Sequence, residues 1–248
     1  MSDWTLHLGD CLDPVTGLAS LADKSVDHVI CDPPYSENVH GAQRRGHIES
    51  EPGTGRSSFN RSVDLGFESL SAGVRSDVAI HCGRIARRWA MAFCDVESAH
   101  LWSADLVMSD LDYVRTMAWI KIGSTPQFTG DRPAVGFEAI VLAHQPGKKR
   151  WNGGGKHGVY SMPIVLDRGH AVERVHTTQK PDRLMEMLIR DFTDPGETIL
   201  DPFAGSGTTG VAAIRMGRKF IGWERDPKYH AIAMKRLAAA REQLELCP

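Results

Sequence analysis

Residues 198–210 read TILDPFAGSGTTG. A short β-branched run ending in an acid opens the stretch, a glycine-rich turn follows, and the threonines begin what reads as a helix. Strand, glycine turn and helix in this order make a ligand cradle: Gly205 and Gly207 let backbone come close, and the helix start offers free N–H groups. The turn lacks the lysine that GxxxxGK[ST] requires, so it is no P-loop. Gly205, Gly207 and Gly210 do fit GxGxxG by letter, yet Asp201 before the turn would face a pyrophosphate badly. The next apolar run, Phe220 to Trp223, ends in Glu224, 19 residues after Gly205, where such folds place a ribose-binding carboxylate. The ligand expected here carries a ribose and little or no phosphate.

Outward from this unit, apolar runs alternate with amphipathic stretches, the pattern of an α/β fold with a mainly parallel sheet. Strands are expected near Thr5–Leu8, Val26–Cys31, Arg88–Phe93, Arg115–Ile120, Phe137–Leu142, Thr198–Leu200 and Phe220–Trp223. Helices are expected over Leu70–Arg87, Ser98–Ser109, Pro181–Phe192, Thr208–Met216 and Pro227–Leu244, the last capped by Asp226. Two stretches break the alternation. Residues 36–64 are rich in Gly, Ser, Arg and Glu with little periodicity, and a loop of that length in a compact domain is usually functional or disordered. Residues 145–175, with Pro146-Gly147 and Gly153-Gly154-Gly155, read as a flexible basic insert.

With 248 residues, 42% apolar and 24% charged, the chain suits one sizeable core, read as a single domain over 1–248. The polar start Met1-Ser2-Asp3-Trp4 and the absence of any apolar run of about 18 residues give the expectation of a soluble, cytoplasmic protein away from membranes. Five scattered cysteines without a CxxC pair read as reduced, mostly buried thiols. The net charge of −2 argues against non-specific coating of nucleic acid. Between His144 and His176, however, six Lys/Arg stand against two acids, so the local balance is basic. No histidine pairs at metal-ligand spacing, and no metal is expected.

The second motif is Asp32-Pro33-Pro34-Tyr35, directly after the apolar run Val26 to Cys31. Together with Asp201-Pro-Phe-Ala-Gly-Ser-Gly-Thr-Thr209 it resembles the paired signatures of S-adenosylmethionine-dependent DNA amino-methyltransferases. The catalytic motif precedes the cofactor motif, an order similar to the circularly arranged β class with a target-recognition segment between the two. Leu8-Gly9-Asp10 resembles that family's adenine-contacting strand end, and His176-Thr-Thr-Gln-Lys-Pro181 its segment ahead of the cofactor motif. The resemblance implies a Rossmann-like methyltransferase fold: a mostly parallel seven-stranded twisted sheet, helices on both faces and permuted motif order.

It also implies roles. Asp32 and the Pro33 carbonyl would accept the two hydrogens of an exocyclic amine, aiming its lone pair at the methyl donor, while Pro34 stiffens the turn and Tyr35 stacks on a flipped base. The cofactor, S-adenosyl-L-methionine, would meet Asp10, Cys11, Lys180, Asp201, Phe203, Ala204, Gly205, Ser206, Gly207, Thr208, Thr209, Glu224 and Arg225. Within that set Glu224 would take the ribose, Asp10 the adenine amine, and Lys180 either the cofactor carboxylate or a helix end. Transfer is expected to be direct, since Cys31 lies inside a strand and no Pro-Cys nucleophile is present. Double-stranded DNA is the expected partner, contacted by Arg44 and Arg45 of an active-site loop or lid (36–64) and by Lys148, Lys149, Arg150, Trp151 and Lys156 of the recognition insert (145–175). A homodimer stays open. Asp at position 32 favours adenine N6, because relatives acting on cytosine N4 more often carry Ser. The alternatives are N4-cytosine methylation and, in a different class, a catalytically inactive DNA-binding subunit of the same fold.

Overall fold

The computed structural model describes residues 3–34, 49–50, 57–58, 70–124, 126, 130–163 and 180–246. Its strands are β1 (Trp4–Leu8), β2 (His28–Cys31), β3 (Glu49–Ser50), β4 (Ser57–Ser58), β5 (Trp89–Cys94), β6 (Asp112–Ile122), β7 (Phe137–His144), β8 (Val159–Pro163), β9 (Thr198–Asp201) and β10 (Lys219–Glu224). The α-helices are α1 (Ala72–Ile85), α2 (Ala99–Met108), α3 (Asp182–Phe192), α4 (Thr208–Arg215) and α5 (Pro227–Leu246). Among the described residues β3 and β4 pair with each other, antiparallel, outside the main sheet. The other strands form one sheet in the order β1-β10-β9-β2-β5-β7-β6-β8.

The sheet has eight strands rather than seven, and the extra one, β8, comes from inside the stretch read as an insert. Val159 to Pro163 alternates exposed and buried residues and pairs in parallel with Ala118 to Ile122, so it extends the sheet at the β6 edge. Within this sheet β7 alone runs against its neighbours β5 and β6, and it directly follows β6 in the chain, an order that suits an antiparallel return. The remaining pairs are parallel.

Strand alternation sorts the core into two layers. In β5, Trp89, Met91 and Phe93 pack on one face with Leu184, Leu188 and Ile189 of α3, Val211 and Ile214 of α4 and Leu237 of α5. Ala90, Ala92 and Cys94 pack on the other with Val78, Cys82 and Ile85 of α1 and Trp102 and Leu106 of α2. All six β5 residues are buried, the mark of a central strand covered on both faces. α3 buries Leu184, Met185, Leu188, Ile189 and Phe192, one face at helical spacing, and starts where the Pro181 carbonyl accepts from the Leu184 N–H at 3.0 Å. Asp226 caps α5, its Oδ1 accepting from the Lys228 N–H at 2.7 Å.

The order of the parallel strands fixes where a ligand can sit. From β9 the chain passes to β10, which pairs with β1, while from β2 it moves the opposite way to β5 and β7. The direction therefore reverses between β9 and β2, which pair at His28–Ile199 and Val29–Leu200. In open α/β sheets the crevice at the carboxyl ends of such a pair is where ligands bind.

Gly210, in the first turn of α4, lets this helix lie close on the sheet. A Cβ there would stand 2.6 Å from Leu237 Cδ2 and 2.7 Å from the Phe220 ring, both buried and unable to retreat. Gly210→Ala should therefore lower the unfolding free energy in urea by about 1–3 kcal/mol, despite alanine's better helix propensity. Wild-type or higher stability would show that the α4–α5 contact yields easily.

Candidate functional site

Three acids stand at the carboxyl ends of parallel strands around the reversal. Asp201 ends β9, Glu224 ends β10, and Asp32 follows the last residue of β2. By alternation they share the face of Ile199, Phe220 and Ile30, all packed in the layer of α3, α4 and α5. The same face at this edge receives Phe93 of β5, Glu138 of β7 and Lys121 of β6.

The glycine turn is built by these acids. Asp201 is 1% exposed; its Oδ1 accepts from the Phe203 N–H at 3.0 Å, and the Thr209 side chain hydrogen-bonds it. Glu224 Oε2 accepts from the Gly205 N–H at 2.8 Å and Oε1 from the Asp226 N–H at 2.8 Å. Each oxygen keeps a further lone pair, so the carboxylate is aimed while remaining able to accept two hydroxyls. Gly205 and Gly207 adopt φ of +54° and +81°, left-handed values that glycine alone takes without strain. Ala204 is tied to β10 through its N–H on the Trp223 carbonyl at 2.8 Å.

Arg236 of α5, which carries no motif, clamps the turn. It donates to the Ser206 carbonyl at 2.7 Å, to Ser206 Oγ at 3.2 Å, to Thr208 Oγ1 at 3.3 Å and to Asp182 at 3.0 Å. Ser206 and Thr208 thus serve the loop's own structure. A lone arginine on a helix gives no local sequence signal, and only the packing of α5 beside the turn exposes its part.

Around this cradle, the Gly9 N–H bonds the Glu224 carbonyl at 2.9 Å, bringing Asp10 to the same edge with its side chain exposed. Cys11 next to it is buried, and burial pushes its thiol up to about 12, which marks a small inert hydrophobe. Phe203 packs partly into the layer of α1 and α2, and Arg225 is exposed.

Asp32 is held by a charged group. Lys180 Nζ lies 2.6 Å from Asp32 Oδ1 and 3.2 Å from Glu138 Oε2, and 5.3 Å over the Phe93 ring. Glu138 in turn pairs with Lys121. Burial alone would lower the Lys180 ammonium, but Asp32 and Glu138 outweigh it and hold the lysine above its ordinary value, so it stays charged. Lys180, expected on the cofactor or at a helix end, is thus found on Asp32. Pro33 is buried and Pro34 partly buried; Tyr35, Arg44, Arg45 and the segment 176–179 lie outside the described residues.

The acids carry more charge than this edge can leave unpaired. Burial first, then the nearby Asp32 and Glu224, raise the Asp201 carboxyl to about 7, against hydrogen bonds from Thr209 and Phe203 that lower it. Glu224 is also raised, chiefly by burial. A folded-state value above the unfolded one means that ionising Asp201 costs stability as pH rises from the ordinary carboxylate range toward 7. A cation seated here would offset that cost.

The five basic-insert residues are elsewhere. β7 runs antiparallel, so His144 and the chain after it emerge at the amino ends of β5 and β6, the edge away from Asp32. Lys149 pairs with Asp112 at 2.7 Å, Arg150 with Asp194 at 2.9 Å and Lys156 with the buried Asp191 at 3.2 Å. Trp151 packs its ring on Phe192 with centroids 4.7 Å apart, while Lys148 is exposed. Among the described residues of this segment, 145–158 are pinned onto the end of α3, since their cations meet acids of α3, β6 and the turn before β9. The structure does not bring these residues to the site.

Among the described residues no helix is long and apolar enough to cross a membrane, and no group of three or more His, Cys, Asp or Glu could hold a metal ion.

Comparison with known proteins agrees with this geometry. The chain is 26% identical to the type II methyltransferase M.HinfI of Haemophilus influenzae over 94% of its own length and 68% of the relative's. Among solved structures, M1.HpyAVI in complex with SAM superposes with a TM-score of 0.68 at 22% identity, covering 94% of this chain and 98% of that one. The cytosine-N4-specific PvuII DNA methyltransferase gives a TM-score of 0.71 at 15% identity, covering 98% and 93%. At these identities both structures share the fold. Residues 95–235, more than half of the chain and spanning β7, the glycine turn and the first part of α5, match the N6/N4 DNA methylase family model, and the chain belongs to that family of DNA amino-methyltransferases.

Proposed function

We propose that the protein transfers the methyl group of S-adenosyl-L-methionine directly to the N6 amine of an adenine turned out of double-stranded DNA, at specific sites, as a modification enzyme of the restriction–modification type. The observation that carries this reading is the meeting of Asp32, at the end of β2, with the glycine turn after β9 on the adjacent strand. The residues present fit the cofactor. Glu224 offers two lone pairs to a ribose, Asp10 is exposed at the same edge to meet an adenine amine, and the raised Asp201 suits a nearby positive charge. Bound, the cofactor supplies an electrophilic methyl group on a sulfonium.

The chain's own work is on the amine. An exocyclic amine is a poor nucleophile because its lone pair is delocalised into the ring. Asp32 and the Pro33 carbonyl accept its two hydrogens, which bends the nitrogen toward tetrahedral geometry and frees the lone pair. The prolines fix φ, so both acceptors converge at little entropic cost. Tyr35 stacks on the base after flipping. Asp rather than Ser at 32 favours adenine; the same geometry would serve cytosine N4, which is the competing outcome.

Asp32→Ala should cut transfer of labelled methyl groups to unmethylated DNA by at least about a hundredfold, with the cofactor dissociation constant changed less than about threefold. Full activity in this variant would remove the mechanism. Failure of the wild type to bind the cofactor would point to the inactive DNA-binding subunit.

Cofactor affinity should also follow the Asp201 carboxyl, which sits at about 7 in the free protein. A positively charged ligand favours the carboxylate, so the dissociation constant should rise as pH falls below 7, by up to about tenfold per unit. Titration calorimetry between pH 5.5 and 8 on wild type and Asp201→Asn checks this, because the variant should bind more weakly and lose the slope. Equal slopes would place the linked proton elsewhere.

A further inference from the structure

Glu138 has no part in the mechanism above, yet it is among the best-placed carboxylates of the edge. It is the second residue of β7, opposite Trp119 of β6 and one position before the pair Ala139–Cys94 with β5. It is 6% exposed, and its two oxygens meet different lysines, Lys121 and Lys180. Lys180 bridges the two acids, at 2.6 Å from Asp32 and 3.2 Å from Glu138. A carboxylate this deep is costly unless paired, and a strand position otherwise filled by apolar residues would be cheaper if it only packed.

The reaction makes a demand that this arrangement meets. During transfer the amine lone pair forms the bond to carbon while the carbon–sulfur pair leaves with sulfur, so positive charge moves onto the nitrogen until one of its two protons departs to water past the Asp32 carboxylate. An ammonium fixed on Asp32 opposes that charge and occupies one of the acceptor oxygens. A second anion able to draw the ammonium away relieves both.

We propose that Glu138 is a positioning residue for methyl transfer: by holding the Lys180 ammonium it limits that lysine's grip on Asp32 and leaves the Asp32 carboxylate available to the target amine. This rests on the amino-methyltransferase reading above. The charged and titratable groups that act on Asp32 among the described residues are Lys180 ahead of α3, Glu138 of β7 and Lys121 of β6, with Asp201 of β9 and the adjoining Cys31 on its own strand also coupled to it. Of these, Lys180 and Lys121 act to lower the Asp32 carboxyl and Glu138 to raise it, beneath the larger upward effect of burial.

Single-turnover transfer to unmethylated DNA across pH 5.5–9 tests this with the full chain. Glu138→Gln should slow transfer by about tenfold and move the acid limb to lower pH, with cofactor affinity within about twofold of wild type. Adding it to Lys180→Met should slow that variant no further, because the effect runs through the lysine. A wild-type rate with an unmoved limb, or rate losses that multiply in the double variant, would overturn the proposal. Should Glu138→Gln not yield folded protein, Lys121→Met gives the opposite test, since loss of that cation should move the limb to higher pH; an unmoved limb there would overturn it equally. A wild type that transfers no methyl group to DNA would refute the underlying function, and this inference with it, whereas active wild type with an indifferent Glu138→Gln refutes the inference alone.

Discussion

The pairing of β2 with β9 sets what the rest of the molecule can do. Two strands far apart in sequence become neighbours at the point where the chain's direction across the sheet reverses, through His28–Ile199 and Val29–Leu200. The chain leaves their carboxyl ends in opposite directions, so a crevice opens between them. Alternation along each strand then places Asp201, Asp32 and Glu224 on one face of that crevice. Slipping β2 by one residue against β9 would turn Asp32 to the opposite face, away from the glycine turn.

Charge is the second constraint. Removing several carboxylates from water in one edge is unfavourable, and the protein answers it in two ways. On the glycine-turn side, backbone N–H groups and Thr209 hold the acids, and Asp201 is left raised to about 7. On the Asp32 side, two lysines and Glu138 complete a compact group of alternating sign. The first arrangement favours a cationic ligand, and the second is where the proposed presentation of Asp32 to an amine would be set.

Much of this was legible in the amino-acid sequence. The two motifs and the acid after Phe220 to Trp223 stood out in the sequence, and the structure brings Asp32, the glycine turn and Glu224 to one edge. The parallel sheet follows from strands alternating with amphipathic helices. What escaped depends on long-range packing. β8 is a five-residue edge strand in a glycine-rich, basic stretch, so local composition hid it. Local composition likewise gave no sign that the antiparallel return of β7 carries Lys149, Arg150 and Lys156 to the other edge, onto acids distant in sequence. Glu138 and Arg236 are single charged residues in apolar or helical runs; their partners come from other elements, and nothing local announces them.

The central claim is that Asp32 and the glycine turn together deliver a methyl group to an exocyclic amine, with adenine as the base. Incubating the protein with S-adenosyl-L-methionine and unmethylated double-stranded DNA, then digesting to nucleosides for mass spectrometry, tests it most directly. The account predicts N6-methyl-deoxyadenosine as the modified nucleoside. N4-methyl-deoxycytidine would contradict the assignment of the base, and 5-methyl-deoxycytidine, which needs a carbon nucleophile and a covalent route, would contradict the mechanism itself.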